Sequence, residues 1–153
     1  MSVRMGSISY YPFMGIGFFH FPILNLVKKN IGTLAKSYTV YAIDLLGFGA
    51  SDKPAGYSYT MEAWAQLILD FLNEVIPKPT VPIGNSVGSL ACVIAASGPP
   101  GPNPVQLMPS ISIPVLVLWG DEDPFTPLDG PVGKYFSSLP SKLSNVKLIV
   151  WME

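Results

Sequence analysis

Gly84-Asn85-Ser86-Val87-Gly88 sets a serine between two glycines, each two residues away. A serine hydroxyl becomes a strong nucleophile when a base takes its proton. The G-x-S-x-G spacing suits a sharp strand-to-helix turn that lifts the hydroxyl above a sheet, with the glycines leaving room for close backbone packing. The N–H of Val87 then stands at a helix N-terminus, where it can stabilise an oxyanion. The context fits: the strand-like "TVPI" comes before and the small-residue helix "SLACVIAAS" after. A glycine-rich turn with a capping serine is the plain alternative. Pro82 counts against the site, because inside a central strand it removes a ladder hydrogen bond.

Such a serine needs a base and an acid to orient that base. In "WGDEDPFTP", Asp121 and Asp123 both follow the apolar run "PVLVLW", so both stand where a strand should reach its C-terminal edge. A turn rich in Asp and Pro is the alternative reading. The chain has one histidine, His20, far upstream between Phe19 and Phe21. In that apolar run it reads as a buried, hydrogen-bonded side chain and not as the base. Gly47-Phe48-Gly49 also follows a strand and reads as turn chemistry.

Composition bounds the rest. The 153 residues suffice for one domain with a real core. Charged residues are only 12% of the chain, so its surface is sparsely charged and either covered or adhesive. A net charge of −1 gives no reason to expect nucleic acid as a partner. The lone Cys92 excludes an internal disulfide and a cysteine-rich metal site, and one histidine argues against a zinc site. No metal or other cofactor is expected. From Ile8 to Val27 no charged residue appears, a length able to span a bilayer, but Pro12, Pro22 and Asn25 interrupt it. It is not read as a spanning helix, a secretory signal or a transit peptide.

The elements alternate. "GIGFFHF" reads as a strand, and "LNLVKKNIGTLAKS" has weak helical spacing. Tyr38–Asp44 reads as a buried strand ending in the loop "LLGFGASDKP". Thr60 can cap a helix whose apolar residues Met61, Trp64, Leu67, Ile68, Phe71, Leu72 and Val75 recur at helical spacing, stopped by Pro77 and Pro79. After "TVPI" and its helix comes the Pro/Gly connector of residues 98–105, then the strand Pro114–Trp119, a short helix "VGKYFSSL" and a last strand "VKLIVW". This alternation predicts an α/β fold with a mostly parallel sheet and helices on both faces. The expected spatial order of five strands is second, first, third, fourth, fifth along the chain.

"YTVYAIDLLGFGASDKP", "PIGNSVGSLACVIAAS" and "ISIPVLVLWGDEDPFTPL" together resemble an α/β-hydrolase, three motifs in family order. The closest likeness is to the plant chloroplast branch, the chlorophyll dephytylases, with the pheophytinase-like hydrolases next. The resemblance implies that Ser86 is the nucleophile, that Val87 supplies an oxyanion N–H, and that Asp123 is the acid, three residues after Gly120 and before Pro127 in a G-x-x-D-x-x-x-P loop. It also implies a carboxylic ester substrate, the phytyl ester of chlorophyll. With it come a chloroplast location, a hydrophobic small-molecule partner and association with a membrane surface.

Three departures stand beside it. The family histidine follows a last strand like "VKLIV", and no residue here matches it. Phe21 stands where the second oxyanion loop has a glycine. Between elbow and acid the strand and helical lid of the family are missing. The expectation is an atypical segment over residues 1–30, then an incomplete α/β-hydrolase core over 31–153 with a Pro-rich junction at 98–105, from an incomplete or alternatively spliced gene product. Two functions follow: a weak serine ester hydrolase, or a catalytically dead isoform that binds hydrophobic ligands or partner chains.

Overall fold

The structure, a computed structural model, describes residues 14–19, 31–76, 78–97 and 107–152. Within it the chain divides into two compact units, Met1–Met108 and Pro109–Glu153.

The first unit holds three parallel strands: β1 (Met14–Phe19), β2 (Thr39–Asp44) and β3 (Val81–Gly84). Their order is β2-β1-β3, with Gly15 opposite Val40 on one side and Val81 on the other. The second unit holds β4 (Val115–Gly120) and β5 (Val146–Trp151), also parallel. The order within each group is the expected one, but the strands form two sheets and not one. Pro82 has no N–H for a ladder, and β3 lies at the edge of its sheet, the place where a strand proline is tolerated.

Helix α1 (Met61–Val75) begins as its residues dictate. Thr60 has extended backbone angles and its hydroxyl accepts from Ala63 N at 3.2 Å. Glu62 adds a negative charge in the first turn, where the helix dipole favours it. The helix ends at Ile76, which leaves helical geometry at φ −130°, as expected of a residue that precedes a proline. Trp64, Ala65 and Ile68 form its buried stripe. That stripe packs with Ile43 and Leu45 of the β2 end and with Ala91 and Cys92 of α2 (Val87–Ser97). The segment read as a weak helix before β2 gives a helical turn over 31–34 within the described residues.

In the second unit α3 (Pro131–Ser138) starts with proline in its first turn, where the missing N–H is not needed. Ile111, Phe136, Leu139 and Val146 are the buried apolar side chains of this unit. The Asn145 side chain donates to the carbonyls of Ile111 at 2.7 Å and Ile113 at 2.9 Å, tying the lead-in of β4 to the start of β5. Among the described residues no helix is long and apolar enough to cross a membrane.

Ile68 has no exposure, and its truncation leaves a cavity in the core cluster it shares with Ile43 and Ala91. Ile68→Ala is expected to lower stability by about 2–5 kcal/mol and Thr60→Ala by about 1 kcal/mol. Urea unfolding followed by far-UV circular dichroism checks both values and their order.

Candidate active site

Two residues, Asn85 and Ser86, turn the chain from β3 into α2. Gly84 ends the strand, Ser86 has φ 52°, and α2 begins at Val87. A serine in the left-handed region is unusual, since its Cβ crowds the backbone there. Hydrogen bonds hold the turn: Gly88 N donates to Asn85 O and Ser89 N to Ser86 O, both at 2.9 Å. A side chain on Gly84 would strike the Gly88 carbonyl and the Ser89 nitrogen, so the first glycine of the motif is a packing requirement. Ser86 is exposed. Among the described residues no hydrogen bond uses the Val87 N–H, which stands in the first turn of α2 as an available donor.

Behind the turn, Gly88, Ala91, Cys92 and Ile94 form the buried side of α2. Burial pushes the Cys92 thiol up to about 12, so it stays protonated and does not compete with Ser86 as a nucleophile.

Asp123 lies in the loop after β4. Its Oδ1 accepts from Phe125 N at 2.8 Å and Thr126 N at 2.9 Å. These amides, that of Thr126 foremost, hold its carboxyl below the usual aspartate range. The loop is itself anchored. Trp119 Nε1 donates to Thr126 O at 3.0 Å, and the Trp119 ring packs on Phe136 of α3 with centroids 5.6 Å apart. Asp121 makes a different bond: its N–H donates to Trp151 O at 3.0 Å, continuing the β4–β5 ladder. The two aspartates that spacing left open thus differ. Asp123 has its carboxylate fixed by backbone donors, and Asp121 contributes its backbone.

Beside Asp123 lies an open cleft of about 420 Å³, lined by Gly120, Asp121, Glu122, Pro124, Phe125 and Trp151. The two aromatic side chains were not singled out from the sequence. Their signal is positional, since both stand at strand ends on the same rim as the acid.

The Gly47-Phe48-Gly49 loop follows its turn-chemistry reading. Asp44 Oδ2 accepts from Ala50 N at 2.9 Å, and Ser51 Oγ donates to Asp44 O at 2.6 Å. Gly49 has φ 51°, and a Cβ there would run into the Asp44 carboxylate. Trp64 Nε1 closes the loop onto α1 by donating to Leu46 O at 2.9 Å.

Ser86 and Val87 therefore meet at one turn of the first unit, and Asp123 stands in the second. His20 and Phe21 lie outside the described residues. Among the described residues no cluster of His, Cys, Asp or Glu could hold a metal ion.

A parallel α/β architecture with a positive-φ serine between a strand and a helix defines a class, the serine-bearing α/β folds. Comparison with known proteins agrees. A family model described as "alpha/beta hydrolase fold" matches residues 17–108, more than half of the chain. The chain belongs to the α/β-hydrolase family, and its fold is a partial version of that family's.

Among curated proteins it is 33% identical over 94 residues to 2-hydroxymuconate semialdehyde hydrolase of Pseudomonas sp. (strain CF600), covering 57% of this chain and 33% of that one. It is 33% identical over 69 residues to the uncharacterized hydrolase YugF of Bacillus subtilis (strain 168), covering 45% of this chain and 25% of that one. The chain thus matches about a third or less of the length of these relatives. Among solved structures it is similar to a predicted CIB-like hydrolase from Thermoplasma acidophilum, at TM-score 0.70 and 22% identity, covering 91% of this chain and 75% of that one. It is also similar to a thermophilic esterase from Thermogutta terrifontis, at TM-score 0.77 and 16% identity, covering 98% and 84%.

Two outcomes check the site. The Asp123 carboxyl is expected to titrate below an ordinary aspartate in an NMR pH titration of the full chain; a midpoint at or above the ordinary value contradicts the amide clamp. The sign follows from a depressed folded-state pKa: the clamp's contribution is present above the unfolded value and is lost as pH falls through the folded one. Cys92 is expected to resist a thiol reagent at pH 8 in the native chain and to react fully in denaturant.

Proposed function

We propose that this chain carries the nucleophile and the acid of a serine hydrolase that acts on carboxylic esters. The observation that carries this reading is Ser86, exposed at φ 52° where β3 turns into α2. In the reaction Ser86 Oγ attacks the ester carbonyl carbon as its proton passes to a base. The oxygen that gains charge takes the Val87 N–H. The tetrahedral adduct collapses, the alcohol leaves with a proton, and water then cleaves the acyl-serine to regenerate the hydroxyl. Asp123 orients a protonated base by accepting its N–H and stabilises the positive charge. The names of the relatives support the broad class, since the comparisons include a semialdehyde hydrolase and an esterase.

The finer proposal is the phytyl ester of chlorophyll. Its support is the likeness of the three quoted motifs to the dephytylases. The exposed Phe125 and Trp151 beside Asp123 suit a hydrophobic substrate. The same likeness carries the proposals of a chloroplast location and of contact with a membrane surface.

A second reading rests on one fact: the only histidine in these residues is His20, and no residue matches the family base. Without a base Ser86 keeps its proton at neutral pH, and the chain acts by binding hydrophobic ligands or partner chains. In serine proteases that lack a triad member, ~10³–10⁴-fold catalysis over water survives.

A fluorophosphonate probe decides between the two readings. The ester-hydrolase reading expects slow labelling of the full chain that Ser86→Ala abolishes and Asp123→Asn slows. It also expects serine-dependent turnover of a p-nitrophenyl ester. Release of phytol from chlorophyll carries the finer reading. A folded chain that neither labels nor turns over overturns the enzyme.

A further inference from the structure

The loop that carries Asp123 aims its carboxylate through residues whose own backbone is restricted. Pro124 and Pro127 stand on either side of Phe125 and Thr126. Each proline fixes its own φ and pushes the residue before it towards extended angles, so Asp123 and Thr126 are both limited. Few torsions are left to decide where the two amides point. Thr126 is held on both sides. Its N–H and its side chain hydrogen-bond to the Asp123 carboxylate, and its carbonyl accepts the Trp119 indole N–H at 3.0 Å.

Trp119 can anchor this residue because its ring is itself seated. It stands on β4 opposite Val150 of β5. Its ring packs on Phe136, which is buried and meets Tyr135 edge-on with centroids 5.2 Å apart. The far limb of the loop is tied to the start of α3. Gly130 N donates to Pro127 O at 2.9 Å, and a Cβ on Gly133 would strike the backbone of Leu128. The strand holds one end of the loop and the helix holds the other.

A phenylalanine at position 119 would fill much of the same space against Phe136. Tryptophan adds one donor, and the Thr126 carbonyl takes it. This carbonyl lies at the surface, where water can replace the indole, so the bond contributes little to stability. What it supplies is direction. We propose that Trp119 is a positioning residue for the acid: its indole N–H, through the Thr126 carbonyl, fixes the residue that aims the Asp123 carboxylate at the base. The proposal rests on the reading of Asp123 as the acid of a serine hydrolase. A carboxylate free to turn meets the N–H of the base in fewer of its conformations and orients it less well.

Trp119→Phe keeps a ring against Phe136 and removes the donor. In an NMR pH titration of the full chain the Asp123 midpoint is expected to rise towards that of an ordinary aspartate, and the amides of Phe125 and Thr126 are expected to exchange faster. Trp64→Phe removes the indole bond to Leu46 O in the first unit and should leave the midpoint and both amides unchanged. Phe136→Leu keeps the donor, loosens its seat and should raise the midpoint less. Fluorophosphonate labelling reads the consequence at Ser86. Trp119→Phe is expected to slow it about two- to tenfold, the effect of one ordinary hydrogen bond, and to slow it no further when combined with Asp123→Asn. The proposal is overturned by a folded Trp119→Phe chain with an unmoved midpoint, by a Trp64→Phe chain that shows the same rise, or by a labelling loss that persists in full beside Asp123→Asn. If Trp119→Phe does not fold, an unmoved midpoint in Phe136→Leu overturns it. Absence of labelling in every variant overturns the hydrolase reading instead, and the midpoints alone then decide the positioning.

Discussion

Ser86 has φ 52° because strand must become helix within two residues, and that constraint organises the first unit. A residue with a Cβ pays about 1–2 kcal/mol in this region. The surroundings over-determine it. The ladder to β1 fixes Gly84, and the buried side of α2, through Ala91 and Cys92, belongs to the same core cluster as Trp64 and Ile68 of α1. Gly84 closes the gap, since only a hydrogen lets its backbone sit against Gly88. The reward of the turn is chemical: an exposed hydroxyl beside an available helix N–H.

Asp123 shows the same logic with other parts. Its carboxylate sits beyond the end of β4 and is held by two amides, which keep it charged and fix its direction. The indole of Trp119 holds the far side of that loop, and Phe136 holds the indole. Both side chains follow the C-terminal ends of parallel strands, the usual place for chemistry in α/β sheets. In each case the backbone does the positioning, which is why both sites can be ordered although their side chains are in contact with solvent.

Much of this was legible because the signals are local. Thr60 caps α1 as its type and spacing required, and the apolar runs of β4 and β5 became strands of the expected length. Ser86 announced itself through two glycines at fixed offsets. The choice of Asp123 over Asp121 was open on spacing, because both follow one strand. The resemblance favoured Asp123; what distinguishes the two side chains in the fold is that the Asp123 carboxylate accepts the loop amides, a property of backbone geometry. The split of five strands into two sheets was hidden for a similar reason. Pro82 signals an edge, but a proline within a short apolar run does not say which neighbour it gives up. Phe125 and Trp151 could not be joined to Asp123, because a cleft between two strand ends is a long-range feature.

The central claim is that the fold of this chain holds Ser86 in the left-handed region. Comparing the stabilities of Ser86→Gly and Ser86→Ala by urea unfolding tests it most directly. At an ordinary position glycine is about 0.5–1 kcal/mol less stable than alanine. Here Ser86→Gly should be at least as stable as Ser86→Ala, because glycine alone enters this region without crowding. A glycine variant less stable than the alanine variant by the ordinary amount would contradict the account.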